Sequence, residues 1–164
     1  MKIKKLAYMG LTITLALIMS YVETFIPMPT FAPGIKLGLA NLVIVFVLYK
    51  FGCKEAFFVS LLRVLIAGFM FGNMSSIIYG MVGAIFSLIV MCLIGKVLKY
   101  GVISVSICGA LAHVTGQMLV AGMVTDFGII KYYAPYLLIA SFICGAIIGI
   151  ISNILISRIT IDTY

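Results

Sequence analysis

The sequence predicts an all-α integral membrane protein with six transmembrane helices in one bundle. Of its 164 residues, 65% are hydrophobic, whereas only 11 Lys and Arg and 4 Asp and Glu carry charge. Nearly all of these charges fall in short gaps between long apolar runs. A soluble domain of this size must cover a large surface with polar side chains, which excludes that class. The runs are unbroken, which favours helices over a spanning β-barrel with its alternating pattern.

Six runs approach the ~20 mainly apolar residues that a spanning helix needs. They form a single transmembrane domain over residues 1–164, because no stretch remains for a separate soluble domain. The predicted spans cover residues 6–26, 34–51, 55–71, 75–97, 102–123 and 132–156.

The first run follows a basic start, as a secretory signal would, but we interpret it as an uncleaved span. Five more apolar runs come after it, and no small-residue cleavage site follows it. Small residues recur within it at four-residue spacing, at Thr12, Ala16 and Ser20. Such a stripe lets helices approach closely in lipid. It indicates either packing inside the bundle or a docking face for another membrane subunit.

The second run follows IPMPTFAPGIKL, a segment over residues 26–37 that contains three of the four prolines. Proline restricts itself and the residue before it, so this segment is predicted to be a stiff, non-helical loop. Loops longer than a minimal turn often form lids over sites, and a rigid connector is the alternative. Glu23 lies just before this loop, and Asn41 lies about two turns into the second run.

The third run contains Arg63, the most informative single residue of the chain. It lies ~14 Å along the helix axis, near the middle of the membrane. An arginine at that depth costs a few kcal/mol and normally faces the bundle interior or a watery cavity. It therefore indicates either a ligand site or a structural pair with a carboxylate such as Glu23.

The fifth run contains His113 and Gln117, whose i, i+4 spacing places them on one helix face. Gly116 beside them leaves room for close approach. A histidine in a membrane helix often bridges two helices by a hydrogen bond. Together with Gln117, however, the pair is more typical of a cavity lining. The fourth and sixth runs show further stripes of small residues and no comparable polar pair.

The basic residues predict the orientation of the chain. They cluster before span one, between spans two and three, after span four and after span six, whereas the opposite side holds Lys36 and Lys131. The positive-inside rule then places both termini in the cytoplasm. This distribution accounts for the net charge of +7 without a nucleic-acid partner.

With that orientation, the polar residues converge in the outer half of the bundle, with Arg63 and His113 near its middle. This convergence predicts a cavity open to the exterior for a small anionic or strongly hydrogen-bonding molecule. The predicted substrate-binding residues are Glu23, Lys36, Asn41, Arg63, His113 and Gln117.

Catalysis by this chain is not expected. No aspartate-rich pair is present to hold Mg²⁺ against a diphosphate, and no Gly-Lys-Ser/Thr phosphate loop is present. One histidine and scattered carboxylates argue against a catalytic metal, so neither metal nor cofactor is predicted. The four cysteines form no CxxC motif, and we expect free thiols.

Three segments carry a resemblance to a known family: PGIKLGLANL (33–42), LLRVLIAGFMFGN (61–73) and HVTGQ (113–117). Over nearly its whole length the chain resembles the bacterial membrane proteins called heptaprenyl diphosphate synthase component I, also labelled the Gx transporter family. That family is similar to the substrate-binding S components of energy-coupling factor (ECF) vitamin transporters. The resemblance implies an S-component-like bundle, with a ligand pocket under the loop between spans one and two.

The resemblance also implies a membrane scaffold and two ATPases as partners, engaged through the first helix. Val114 stands where asparagine is expected in relatives, and the docking stripe, usually alanine, is here Thr12, Ala16 and Ser20. The family positions carried onto this chain are Gly34, Lys36, Gly38, Asn41, Arg63, His113 and Gln117.

Together these observations predict the substrate-binding subunit of an ECF-type uptake transporter, a multi-pass protein of the bacterial plasma membrane. The alternative is a non-catalytic membrane subunit associated with prenyl-diphosphate or quinone metabolism, or with a membrane redox assembly. The missing aspartates conflict with a synthase activity, so the family's name alone is no argument for catalysis.

Overall fold

A computed structural model describes residues 2–25 and 38–159 of the chain. Within these residues it has six helices and no strand, which confirms the all-α prediction. The helix that ends at Cys92 continues into a π-helical turn over Leu93–Val97. The predicted loop at 26–37, interpreted as a lid or a rigid connector, lies outside the described residues, as do Gly34 and Lys36 within it. The helices are α1 (Lys2–Glu23), α2 (Asn41–Lys50), α3 (Cys53–Phe71), α4 (Met74–Cys92), α5 (Val102–Val124) and α6 (Phe127–Arg158).

Four helices of the described chain are long and apolar enough to cross a membrane: α1, α4 with its π-helical turn, α5 and α6. This confirms the membrane class of the protein. α2 has ten residues and is about 15 Å long, roughly half the hydrocarbon thickness of a bilayer. α3 is longer but carries Lys54, Glu55 and Arg63. Six complete spans therefore stay a prediction.

Two helix boundaries differ most from the predicted spans. α2 begins at Asn41, not near 34, because Gly38 has a φ of +86° and cannot belong to a right-handed helix. α6 begins at Phe127, before the predicted 132. The side chain of Asp126 caps it by accepting a 2.9 Å hydrogen bond from the Gly128 N–H. Pro135 then lies inside the helix.

The bundle consists of two groups of helices that share α2 and α3. α4, α5 and α6 pack as consecutive antiparallel neighbours, and α1 packs against α3 and α2. α2 contacts α1, α3, α5 and α6, so this short helix occupies the centre. α1 and α3 run parallel, since Lys5 pairs with Glu55 near one end and Ser20 contacts Arg63 farther along.

Two clusters of buried apolar side chains hold the bundle together. The larger, which we call the apolar core, surrounds α2 and includes its valines together with Ile44, Leu48 and Met91. The smaller joins α4, α5 and α6 and includes Tyr79, Val114 and Leu137. Packing by dispersion is the main adhesive between helices in lipid.

The small-residue stripe of α1 is buried in the bundle. Thr12, Ala16 and Ser20 are 7%, 0% and 1% exposed, and Ala16 belongs to the apolar core. This burial favours internal packing, the first of the two interpretations, because such residues have almost no area left for a partner. A docking role for α1 in this conformation would have to use its opposite face, where Leu6 and Leu11 are exposed.

The cysteines correct a sequence prediction. Cys53 at the start of α3 and Cys92 at the end of α4 are joined as a disulfide, with Cα atoms 6.1 Å apart. The expectation of free thiols is therefore wrong for this pair and holds for Cys108 and Cys144. The antiparallel α3–α4 hairpin brings two residues 39 positions apart to the same end of the bundle.

Candidate functional site

A narrow cavity opens between α1, α3, α4, α5 and the turn that precedes α2. The cavity and its solvent-filled mouth together enclose about 370 Å³ of space that no protein atom occupies. Four of the six predicted substrate-binding residues line it, and Lys36 lies outside the described residues. The lining residues are Ser20, Glu23, Gly38, Arg63, Val64, Ala67, Gly68, Ser76, Gly80, His113 and Gln117.

Arg63 is the central charge of this cavity. It is 5% exposed, and its Nη1 donates a 3.3 Å hydrogen bond to the Ser20 Oγ. Its Nε and Nη2 have no hydrogen-bond partner within the described residues. A buried donor without a partner costs about 1–3 kcal/mol, and more when it is charged. The protein thus keeps two costly, unused donors on a buried cation that lines a cavity.

Glu23, the last residue of α1, is tied to the backbone before α2. Its Oε1 accepts hydrogen bonds from the N–H groups of Gly38 and Leu39, the latter at 3.4 Å. The carboxylate therefore lies near the positive, N-terminal end of α2, where an anion is stabilised. It also attracts the guanidinium of Arg63. One oxygen of Glu23 is thus committed to the protein, whichever molecule the cavity holds.

Gly38 brings three predicted residues together. Its left-handed backbone turns its own N–H toward Glu23. A Cβ atom at this position would lie 2.8 Å from the Asn41 Nδ2 and 4.0 Å from the His113 Cδ2. Asn41 is buried beside the cavity, and its Nδ2 has no hydrogen-bond partner in the described part of the chain. Any larger residue at 38 would push this asparagine away.

His113 and Gln117 lie on the face of α5 that contacts α4. Both are buried, and both line the cavity. The two helices approach closely at Gly83, where a Cβ atom would lie 2.9 Å from the His113 carbonyl oxygen. The same atom would lie 3.0 Å from the Gln117 Cγ. Gly83 therefore sets the depth at which these two side chains enter the cavity.

Several lining residues were not predicted from the sequence, most clearly Ser20 and Ser76. Ser20 was interpreted only as part of a small-residue stripe for helix packing or partner docking, yet it is buried here and orients Arg63. Ser76 and Gly80 belong to a similar stripe on α4 and line the opposite wall. Small residues leave the space that forms a cavity, but the same pattern also indicates close helix packing. Only the presence of Arg63 in the same cavity shows that these small residues line a cavity and do not merely allow close helix packing.

Metal ligation has no support in the described chain. Residues 2–25 and 38–159 contain no group of three or more His, Cys, Asp or Glu side chains that would hold a metal ion. What the arrangement offers chemically is a set of hydrogen-bond donors around one buried positive charge.

Comparison with known proteins identifies the family of the chain. No curated protein and no solved structure matches the chain. The family model for heptaprenyl diphosphate synthase component I matches residues 12–155, a stretch that contains every lining residue of the cavity. This confirms the resemblance drawn from the three sequence segments. The chain therefore belongs to the heptaprenyl diphosphate synthase component I family.

Proposed function

We propose that the protein is the substrate-binding membrane subunit of an ECF-type uptake transporter, and that it is not an enzyme. Its cavity would capture a small anionic or polar molecule from outside the cell. The unused Nε and Nη2 donors of buried Arg63 are the observation that carries this proposal. A purely structural arginine would have these donors satisfied by the protein, because leaving them unpaired only lowers stability.

The proposed orientation follows from the distribution of basic residues. One end of the bundle carries the basic side chains of five helix ends, and the cavity lies toward the other end. The positive-inside rule places the basic end in the cytoplasm, with both termini there and six crossings of a bacterial plasma membrane by one domain. The basic residues of this end are Lys4, Lys5, Lys50, Lys54, Lys96, Lys99 and Arg158.

In the proposed cycle, the ligand enters from the exterior and Arg63 binds its negative or acceptor atoms. Asn41, His113 and Gln117 orient it, and the 26–37 segment, with Lys36, closes over it. Reorientation in the membrane would then be driven by a partner scaffold with two ATPases. The cavity is narrow as it stands, so we expect the mouth to widen when a ligand enters.

Native mass spectrometry tests the proposal on tagged protein extracted gently from its own host. We expect a retained small molecule, together with a membrane scaffold and ATPases. The Arg63→Ala variant should lose the molecule and still elute as a folded, detergent-stable protein. Lys54→Gln, which removes a positive charge from the exposed start of the same helix, is the matched control and should retain it. Retention by the Arg63→Ala protein would refute the site.

The family's name favours a second candidate, a non-catalytic membrane component associated with prenyl-diphosphate or quinone metabolism. The word "component" implies a partner subunit of a synthase. The basic end offers a surface for such a partner, since Glu55, the one acidic residue described there, is already paired with Lys5. The same spectra separate the candidates. A co-purifying synthase or redox subunit without ATPases would support the second and overturn the first.

A further inference from the structure

We infer that the cavity binds its ligand through a carboxylate group, held side-on by the Nε and Nη2 of Arg63. This inference rests on the proposed function and names the class of ligand that the cavity takes. In a guanidinium group, Nη1 lies on the Cδ side, whereas Nε and Nη2 share the opposite edge. These two are the nitrogens without partners in the described residues. Their parallel N–H bonds match the two oxygens of one carboxylate.

The protein fixes the orientation of this edge. Nη1 is bound to the Ser20 Oγ of the neighbouring helix, which leaves the Nε–Nη2 edge as the unused side of the group. Ala67 follows Arg63 by about one turn on the same face of α3, lines the same cavity, and has no side-chain acceptor. Gly80 on α4 packs over Val64 and adds none either. Neither residue therefore supplies an acceptor for this edge, and its two donors stay available to a ligand.

The charge of Glu23 does not oppose an anionic ligand at this edge. Its Oε1 accepts the N–H groups of Gly38 and Leu39, and it lies at the N-terminal end of α2. That helix end carries roughly half a positive charge, which offsets part of the charge of the carboxylate. Part of the charge of Arg63 is then left for the ligand. The Asn41 Nδ2, also without a partner among the described residues, supplies a further donor beside Gly38.

The net charge of Arg63 and Glu23 favours a carboxylate over a phosphate as the ligand group. One arginine beside one glutamate offers at most a single positive charge, and a dianion in a buried site would remain largely uncompensated. The single negative charge of a carboxylate fits this limit, whereas the second charge of a phosphate dianion does not.

Thermal unfolding of the purified full-length protein in detergent tests this inference with acetate as the probe. Acetate is a small carboxylate, and acetamide is its neutral counterpart of nearly the same shape. Both are titrated at constant ionic strength, and inorganic phosphate is titrated in parallel. We expect acetate to raise the unfolding temperature saturably and acetamide to bind at least about tenfold more weakly, since charge-assisted bonds to arginine are lost.

Two variants identify the group that responds. Arg63→Lys keeps the charge but loses the two-donor edge, so acetate should bind at least about tenfold more weakly. Lys54→Gln removes a charge from the same helix outside the cavity and should respond like the wild type. The inference is overturned if acetamide equals acetate, if phosphate binds more tightly than acetate, or if Arg63→Lys responds unchanged.

Failure of the carboxylate inference and failure of the proposed function can be told apart. A retained ligand that lacks a carboxylate, found in the native spectra, would refute the inference and leave the binding-subunit proposal intact. Acetate binding through Arg63 without transporter partners would uphold the inference and overturn the proposed function.

Discussion

The apolar core around α2 and the cavity beside it bury their side chains to a similar extent, but their hydrogen bonding differs. Ile44 and Leu48 of the core are fully buried and have no polar side-chain atom to satisfy. Arg63 and Asn41 at the cavity are almost as deeply buried, yet each keeps a nitrogen without a partner in the described residues. Burial alone therefore does not distinguish the apolar core from the candidate site.

The difference assigns separate roles to the two regions. The core gains dispersion energy from complete contacts, so it supports the folded state. The cavity leaves donors unused and so lowers stability, a cost that a protein keeps when a ligand relieves it. We expect substitutions in the core to change stability with little effect on binding, and substitutions at the cavity to do the reverse.

The largest stability effect should come from Ile44→Ala in the middle of α2. Ile44 is fully buried and contacts the rest of the apolar core, so truncation leaves a cavity there. We expect a loss of about 2–5 kcal/mol in the free energy of unfolding. Reversible unfolding in mixed detergent gives this value. The fraction that remains folded should bind acetate with unchanged affinity, and a parallel loss of affinity would show that the two regions are not separate.

Gly83→Ala should disturb both regions, because it lies where α4 and α5 cross. The new Cβ would meet the His113 carbonyl oxygen at 2.9 Å, and a backbone atom yields less easily than a flexible side chain. We expect a loss of about 1–3 kcal/mol in stability from overpacking, with displacement of His113 and Gln117 and weaker ligand binding.

Gly10→Ala on α1 is the matched control for this substitution. No atom lies within 4 Å of the position a Cβ would take at Gly10. Alanine there should leave binding unchanged and stabilise the helix by up to about 1 kcal/mol. Equal effects of the two substitutions, measured by thermal unfolding and ligand retention, would rule out the steric account of Gly83.

Ser20→Ala should have a smaller effect that is specific to the cavity. It removes the hydroxyl that holds Nη1 of Arg63 and leaves the arginine in place. We expect about 1 kcal/mol or less of lost stability, as for a typical hydrogen bond. Acetate binding should weaken a few-fold because the guanidinium edge is less well oriented. Binding as weak as that of Arg63→Lys would instead make Ser20 a direct ligand contact.

The sequence was sufficient for the class of the fold and for most of the polar cavity residues. Arg63, His113 and Gln117 were recognisable because a polar residue inside an apolar run has few structural explanations. The start of α2 was not recognisable, since it depends on the left-handed backbone of Gly38 and its bond to Glu23. These contacts join residues 15 positions apart and leave no periodic signal.

The role of Ser20 and the pairing of Cys53 with Cys92 were also not recognisable from the sequence. A serine in a stripe of small residues has the same pattern whether it packs against a helix or bonds to an arginine. Two cysteines without a motif give no sign of pairing until the α3–α4 hairpin brings them together. In each case the decisive information is which helix lies opposite, and hydrophobic periodicity does not encode that.

The smallest effect is expected at the basic end, from Glu55→Gln, which removes the partner of Lys5. Their ion pair joins α1 to α3, but the Lys5 side chain is 53% exposed, so solvent screens the attraction. Exposed pairs contribute roughly 0.2–1 kcal/mol, and we expect a loss in that range that shrinks as salt is added. Ligand binding should stay unchanged, because Arg63 lies about two turns farther along α3 and keeps its contact with Ser20. A measurable change in acetate affinity would mean that the position of α1 relative to α3 is transmitted to the cavity. The region that controls binding would then extend along the α1–α3 interface, beyond the residues that line the cavity.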